Sequence, residues 1–305
     1  MMPLRPFFHF HQGTHVRTTR KWSLNVPNEL WLDLSGLTAN IRAIGCASPG
    51  LALIEAEGDE RLLGKLDLRH DTPAEVALDY GPGPITIRIG NSVMSNGGRQ
   101  SGVNVLSNIR GRSVSICNVV VNGVSVTSVI GDSDAIFDID ALPIVAISLP
   151  PETKLHIKAG GGSKLFVAAM KERFRLAVTG SCDAIIQDVV APEIRLSGSG
   201  QISLSAHGDT VIELSGSGNC HGTIAPNADG RAANLDARVS GSGNVRLRGS
   251  VGKAALAVAG SGMIYLSDEC AEADAQISGS GLISIRKVTG ALRQRTSRSG
   301  QIKIG

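Results

Sequence analysis

The sequence has few aromatic and few charged residues: of its 305 residues, 3% are aromatic and 19% are charged. A bulky globular core needs large side chains, so this composition favours narrow layers that are filled by aliphatic residues. The formal net charge of +3 is small. Nucleic-acid-binding domains usually cluster Lys and Arg along one face, so we expect no nucleic-acid partner.

Several signals of membrane insertion, export and catalysis are missing. No run approaches the roughly 18 apolar residues of a transmembrane helix, so no membrane span is expected. Residues 1–23 lack a secretory signal pattern and are predicted to be a disordered or processed segment. The sequence contains no Walker loop, H-E-x-x-H, EF-hand or nucleophile-elbow pattern. We therefore expect no catalytic residues, no cofactor and no metal, and we predict that the protein is not an enzyme.

The sequence has few cysteines, and their spacing matches no common disulfide or metal-binding motif. The chain has five cysteines and no C-x-x-C or zinc-ligand spacing. We predict that they are small buried apolar residues rather than a disulfide framework. Their positions are Cys46, Cys117, Cys182, Cys220 and Cys270.

A glycine-rich tetrapeptide recurs through the last third of the chain. Ser-Gly-Ser-Gly occupies residues 197–200, 215–218, 240–243 and 278–281, and Ala-Gly-Ser-Gly occupies 259–262. The first glycines are spaced by 18, 25, 19 and 19 residues, and the frame extends back through Gly180 and Gly161 towards Gly131. Each pair suits a tight corner between strands. The predicted structural corner glycines are Gly198, Gly200, Gly216, Gly218, Gly241, Gly243, Gly260, Gly262, Gly279 and Gly281.

Aliphatic residues recur two positions before each first glycine and four and six positions after it, as with Val258, Ile264 and Leu266 around Gly260. Alternation of this kind is typical of half-buried strands. A unit of about 19 residues cannot bury its apolar side alone, so successive units must stack. We predict an all-β fold, a single-stranded β-solenoid or β-helix with coils of about 19 residues, regular over residues 151–305.

Residues 24–150 alternate in the same way but lack the clean period. They are predicted to form less regular β-rich coils and a cap. Two short helical turns are predicted inside this region, at residues 60–64 and 72–77, the second with Thr72 as N-cap.

The repeated Ser-Gly-Ser-Gly-x-apolar-x-apolar unit, preceded by a segment such as residues 53–63, resembles the bacterial family called putative auto-transporter adhesin, head GIN domain. The resemblance covers residues 155–305. It implies a β-solenoid at the cell envelope or outside the cell, and it supplies no catalytic residues to carry over.

One outward column follows each first glycine by five positions and holds hydrogen-bonding, cationic and aromatic side chains. Such a strip could hold a sugar chain or an anionic polymer, although outward residues of any strand are usually polar. The predicted ligand strip is His221, Arg246, Tyr265 and Lys303; in the same column, Ser203 precedes His221 and Ser284 lies between Tyr265 and Lys303. A second column, Arg195, Glu213 and Arg238, alternates in sign and is predicted to pair with itself.

The function predicted from these features is non-enzymatic: a β-solenoid that presents a repetitive surface for adhesion, envelope structure or self-association, with a homo-oligomer and a glycan or other surface partner as the expected partners. The alternatives are a carbohydrate-active β-helix, such as a polysaccharide lyase or hydrolase, and an intracellular scaffold.

Overall fold

The computed structural model describes residues 16–72, 74–81, 86–89, 92–95, 115–121, 124–130, 136–138, 141–297 and 299–305. Within these ranges the protein is all-β, as predicted, with a single four-residue helix. The elements before residue 150 are β1 (Arg17–Asn25), β2 (Glu29–Leu34), β3 (Asn40–Gly45), β4 (Leu51–Asp59), α1 (Glu60–Leu63), β5 (Asp67–Thr72), β6 (Glu75–Asp79), β7 (Thr86–Ile89), β8 (Ser92–Ser95), β9 (Ser115–Val121), β10 (Val124–Ile130), β11 (Ile136–Asp138) and β12 (Ile144–Leu149).

The remaining elements are all strands. They are β13 (Lys154–Ala159), β14 (Lys164–Gly180), β15 (Asp183–Gly198), β16 (Gln201–His207), β17 (Thr210–Gly216), β18 (Asn219–Ala225), β19 (Ala233–Gly241), β20 (Asn244–Arg248), β21 (Val251–Gly260), β22 (Met263–Gly279), β23 (Leu282–Val288), β24 (Leu292–Thr296) and β25 (Gln301–Ile304).

Equivalent residues of successive repeats lie side by side in two series of parallel strands. The pre-glycine ladder runs through β2, β13, the second halves of β14 and β15, β17, β19, β21, the second half of β22, and β24. The post-glycine ladder runs through β3, the first halves of β14 and β15, β16, β18, β20, the first half of β22, β23 and β25. The register follows the sequence frame, so that Gly241 pairs with Gly216 on one side and Gly260 on the other.

The aliphatic positions predicted to face inward are buried, which confirms that part of the prediction. Ile264, for example, has no exposed surface and pairs with Val245 and Ile283 in the neighbouring strands. The pattern weakens only in β25, where Ile304 is 38% exposed. Because each repeat contributes the same inward positions, these side chains form one hydrophobic cluster shared by the repeats and by the strands before residue 150.

One repeat that the sequence spacing did not reveal is formed by β2 and β3. β2 pairs in parallel with β13, and β3 pairs in parallel with the start of β14. Residues 29–45 therefore lie against residues 154–168 as one repeat against the next, although Asp33 and its partner Lys158 are 125 residues apart. The segment between these repeats is an insertion. The predicted extension of the frame to Gly131 falls outside the described residues.

The strands before residue 150 also pair in antiparallel fashion. β4 lies antiparallel to both β1 and β12. Residues 17–23, which belong to the segment 1–23 predicted to be disordered or processed, form most of β1. Their side chains alternate between exposed and half-buried, and the Trp22 side chain packs against the core. Residues 1–15 lie outside the described residues.

Of the two predicted helical turns, the first is confirmed and the second is wrong. α1 forms where the Asp59 carboxylate accepts hydrogen bonds from the first backbone amides of the helix. Residues from Glu75 onward instead form β6, which is antiparallel to β5 and parallel to β2. In that strand Val76 is buried, and burial of apolar surface outweighs the capping signal of Thr72.

Glycine recurs at the corners because the backbones of successive repeats approach one another closely there. At the first glycine of one pair, Gly260, φ is +127° and an added Cβ would lie 2.5 Å from the Gly241 carbonyl oxygen. At the second glycine, Gly262, φ lies outside the positive range, yet a Cβ would lie 2.5 Å from Cγ1 of Val239. Positive φ recurs at the other first glycines, Gly198, Gly216, Gly241 and Gly279.

Candidate functional site

The residues of the predicted ligand strip stand in one row on the post-glycine ladder. Ser203 pairs with His221, and His221 pairs with Arg246. The row continues through Tyr265 and Ser284 to Lys303. The Arg246 guanidinium lies over the Tyr265 ring, with its central carbon 5.6 Å from the ring centroid. The repeat frame therefore brings together side chains that are far apart in sequence.

The same row continues toward the amino-terminal repeats through three residues that sequence reasoning missed. Ile185 pairs with Ser203, Phe166 with Ile185, and Arg42 with Phe166. The Arg42 guanidinium carbon lies 5.4 Å from the Phe166 ring centroid, and Ile185 is 47% exposed. Phe166 and Ile185 follow Gly161 and Gly180 by five positions, so the frame contained the signal for them. Arg42 belongs to the repeat hidden by the insertion.

The strip, defined as the row from Arg42 to Lys303, carries uncompensated positive charge. Its members include no Asp or Glu. Among the described residues, no carboxylate forms an ion pair with Arg42, Arg246 or Lys303. Their charges therefore remain available to solvent or to a ligand.

The middle of the pre-glycine ladder has the opposite character, because the outward charges of β15, β17 and β19 pair with one another. Within the predicted column, Glu213 lies 3.1 Å from Arg195 and 3.8 Å from Arg238. Arg195 also lies 3.0 Å from Glu193, and Arg238 lies 2.8 Å from Asp236. The predicted pairing along this column is confirmed. Such exposed pairs contribute little free energy each.

A groove of about 570 Å³ lies at the amino-terminal end of the pre-glycine ladder, where β6, β2, β13, β14 and β15 meet. Its aromatic wall is Trp31, whose ring is stacked on the His156 imidazole with centroids 3.8 Å apart and planes 5° apart. Trp31 remains 44% exposed, whereas His156 is only 5% exposed. We call this cavity the Trp31 groove. Sequence reasoning missed it because the two rings come from repeats separated by the insertion.

The imidazole of His156 is held neutral and oriented. Burial lowers its pKa below the usual value, and the Arg175 charge adds to this effect, although the Glu29 carboxylate opposes both. His156 Nε2 lies 2.9 Å from Glu29 Oε1 and donates to it. Nδ1 is therefore left as an acceptor, and it has no hydrogen-bond partner among the described residues.

Three carboxylates and three cations line the Trp31 groove: Asp33, Glu75, Glu193, Lys158, Arg175 and Arg195. Lys158 lies 3.1 Å from Asp33, and Arg175 lies 2.8 Å from Glu193. Burial alone would raise the pKa of Asp33, but hydrogen bonds from Ser35 and the Lys158 ammonium outweigh it and hold that pKa below its ordinary value. The three carboxylates and three cations that line the groove therefore balance in formal charge.

The cysteines agree with their predicted role at three of the four described positions. Cys182, Cys220 and Cys270 are buried and unbridged, and burial raises the pKa of the first two thiols to about 12. Cys46 is exposed, which corrects the prediction there, because it follows the end of β3 in a surface turn. The side chain of Cys117 lies outside the described residues.

The described residues contain no group of three or more His, Cys, Asp or Glu side chains suited to hold a metal ion. No helix in the described ranges has the length and apolar character that crossing a membrane requires.

Residues 221–305 match the family model described as putative auto-transporter adhesin, head GIN domain. The resemblance inferred from the repeats is therefore confirmed over that stretch. No curated protein matches the sequence.

Two solved structures from Parabacteroides distasonis are similar to this chain. One, described as a putative lipid binding protein, has 16% identity and a TM-score of 0.62, with 96% of this chain and 98% of that chain covered. The other, described as a putative adhesin, has 13% identity and a TM-score of 0.56, with 96% and 97% covered. At such identities the similarity extends to the fold alone.

Proposed function

We propose that this chain, whose residues 221–305 match the head GIN domain family, is a non-enzymatic β-solenoid that binds an acidic polysaccharide along its strip. Each coil has about 19 residues, residues 151–305 form the regular section, and residues 24–150 supply less regular coils and a cap. The family name supports a location at the cell envelope or outside the cell, where such polymers are found.

The observation that carries this proposal is the unneutralised row from Arg42 to Lys303. Neighbouring strands lie about 4.8 Å apart, so its nine positions extend over roughly 38 Å. The row sets Arg42 beside the Phe166 ring and Arg246 beside the Tyr265 ring, and it ends at Lys303. No carboxylate within it repels an anion. The paired charges of Arg195, Glu213 and Arg238 on the pre-glycine ladder offer no such attraction.

The interaction with a polymer would gain strength from repetition. A single exposed ion pair contributes about 1 kcal/mol or less. Cations on one rigid row can bind separate acidic groups of the same polymer. Once one ion pair has formed, the others form within the complex, so the overall affinity exceeds that of any single pair. Salt should weaken this binding, because exposed charges are screened over about 10 Å at 0.1 M ionic strength.

Retention on immobilised heparin and polygalacturonate tests the strip. We expect the wild-type protein to be retained and to elute with salt, and the double variant Arg246→Ala/Tyr265→Ala to elute at clearly lower salt. Arg238→Ala is the matched control for charge, since it removes an exposed arginine that already pairs with Asp236. Equal shifts in both variants, or no retention of the wild-type protein, would contradict the proposal.

Incubation with polygalacturonate separates binding from catalysis. A binding protein leaves the polymer length unchanged, whereas a lyase or hydrolase creates new chain ends that a reducing-end assay detects. Turnover that survives repurification would replace the proposal with the carbohydrate-active alternative. Sedimentation of the same sample, with and without polymer, measures whether the chain self-associates.

A further inference from the structure

We propose that the Trp31 groove is a second binding site, for an uncharged saccharide of a few sugar units. It lies on the pre-glycine ladder, whereas the strip lies on the post-glycine ladder, so the site does not depend on the proposed function. Its volume of about 570 Å³ is in the range of small-molecule sites.

The first element of the site is a fixed aromatic platform. The Trp31 ring lies flat against the His156 imidazole, which is itself held by Glu29. A stacked ring has little rotational freedom left to lose on binding, while 44% of Trp31 is still exposed. The carbon-bound face of a sugar ring is apolar and flat, and an exposed indole is a suitable surface for it.

The second element is the balance of charge. Lys158 is paired with Asp33, and Arg175 and Arg195 are paired with Glu193. A charged ligand would have to compete with these pairs and would gain no net attraction from the groove. A hydroxyl group donates and accepts hydrogen bonds at once, so an uncharged sugar can bind between the paired groups without separating them.

The third element is the mixture of hydrogen-bonding groups that line the groove. Asp33, Glu75 and Glu193 supply acceptors, and Lys158, Arg175 and Arg195 supply donors. The hydroxyl groups of a sugar can bond to both kinds. A phospholipid tail, which has no hydroxyl groups, could not do so.

Calorimetric titration of the full chain with four neutral trisaccharides tests the site: maltotriose, cellotriose, mannotriose and N-acetylchitotriose. We expect saturable binding of at least one of them. Trp31→Leu, which keeps an apolar side chain but removes the ring, should weaken that binding at least tenfold, whereas Trp31→Phe should retain most of it. Trp22→Phe is the matched control on the other tryptophan, which packs against the core.

Two further ligands test whether the site prefers an uncharged saccharide to a charged saccharide or a lipid. Trigalacturonate carries charge on the same ring framework, and dihexanoylphosphatidylcholine is a lipid of similar size. Binding of either one with none of the neutral trisaccharides overturns the proposal, as does neutral binding that is unchanged in Trp31→Leu, or no binding at all. Neutral binding that persists in Arg246→Ala/Tyr265→Ala while heparin retention falls establishes the two sites as independent.

Discussion

Replacing Gly260 by alanine should destabilise the fold more than its small size suggests. The backbone there has a φ of +127°, and an added Cβ would lie 2.5 Å from the Gly241 carbonyl oxygen, far inside van der Waals contact. A strained backbone conformation costs about 1–3 kcal/mol, and forced close packing costs a similar amount. Because the carbonyl belongs to a strand fixed on both sides, it has little room to move. We expect a loss of about 4 kcal/mol in the free energy of unfolding.

Three matched variants separate the two causes of this loss. Gly262→Ala meets Val239 at 2.5 Å without a positive φ, so it isolates crowding. Gly230→Ala has a φ of +79° with no atom within 4 Å, so it isolates the backbone conformation and should cost about 1 kcal/mol. Ser261→Ala changes an exposed side chain in the same corner and should be nearly neutral.

Urea denaturation followed by circular dichroism measures the stability of all four variants. Their midpoints can be compared where the unfolding free energy depends on urea concentration with the same slope. The expected order of stability is Ser261→Ala, Gly230→Ala, Gly262→Ala and then Gly260→Ala. If Gly260→Ala unfolds at the same urea midpoint as Ser261→Ala, then successive repeats do not approach one another as closely as described. The physical explanation of the glycine repeat is then refuted.

Two more predictions follow from burial. In a Cys117→Ser variant, a maleimide should label Cys46 quickly in the native protein and the three buried thiols only after denaturation. The thiolate is the reactive form, and the pKa values of the buried thiols are raised. Rapid labelling of more than one thiol in the native protein would contradict this prediction. Because the pKa of His156 is lowered by folding, the unfolded chain binds a proton more readily, so stability should fall as the pH drops below about 6.5. His156→Gln should remove part of that fall, while the exposed control His70→Gln should leave it unchanged.

The regular part of the fold was accessible from sequence because one signal repeats. Each repeat places aliphatic residues at the same distances from its glycine pair, so the frame predicts which residues are buried and which neighbours they contact. The pairing of Ile264 with Val245 and Ile283 follows from this frame. The row from Ser203 to Lys303 follows from it as well, since outward positions stack in the same register as inward ones.

The region before residue 150 resists such reasoning because its contacts are set by tertiary packing. Thr72 carries a helix-capping signal, yet the chain after it pairs with β2, and the burial of Val76 depends on strands distant in sequence. Likewise β2 and β3 carry the alternation of a repeat but lack its Ser-Gly-Ser-Gly motif. Their neighbours in space follow only after an insertion of about a hundred residues, so no fixed period reveals them.

This difference explains why the two candidate sites were not equally visible. The strip uses one position in each repeat, so a frame read from a few glycines predicts most of it. The Trp31 groove forms where a repeat from before the insertion meets the first repeat after it, and Trp31 stacks on His156 because the insertion returns the chain to the same ladder. Within the regular section, the neighbours of a residue lie about one repeat away in sequence. A break in the repeat brings together side chains that no fixed period relates, and the Trp31 groove lies at such a break.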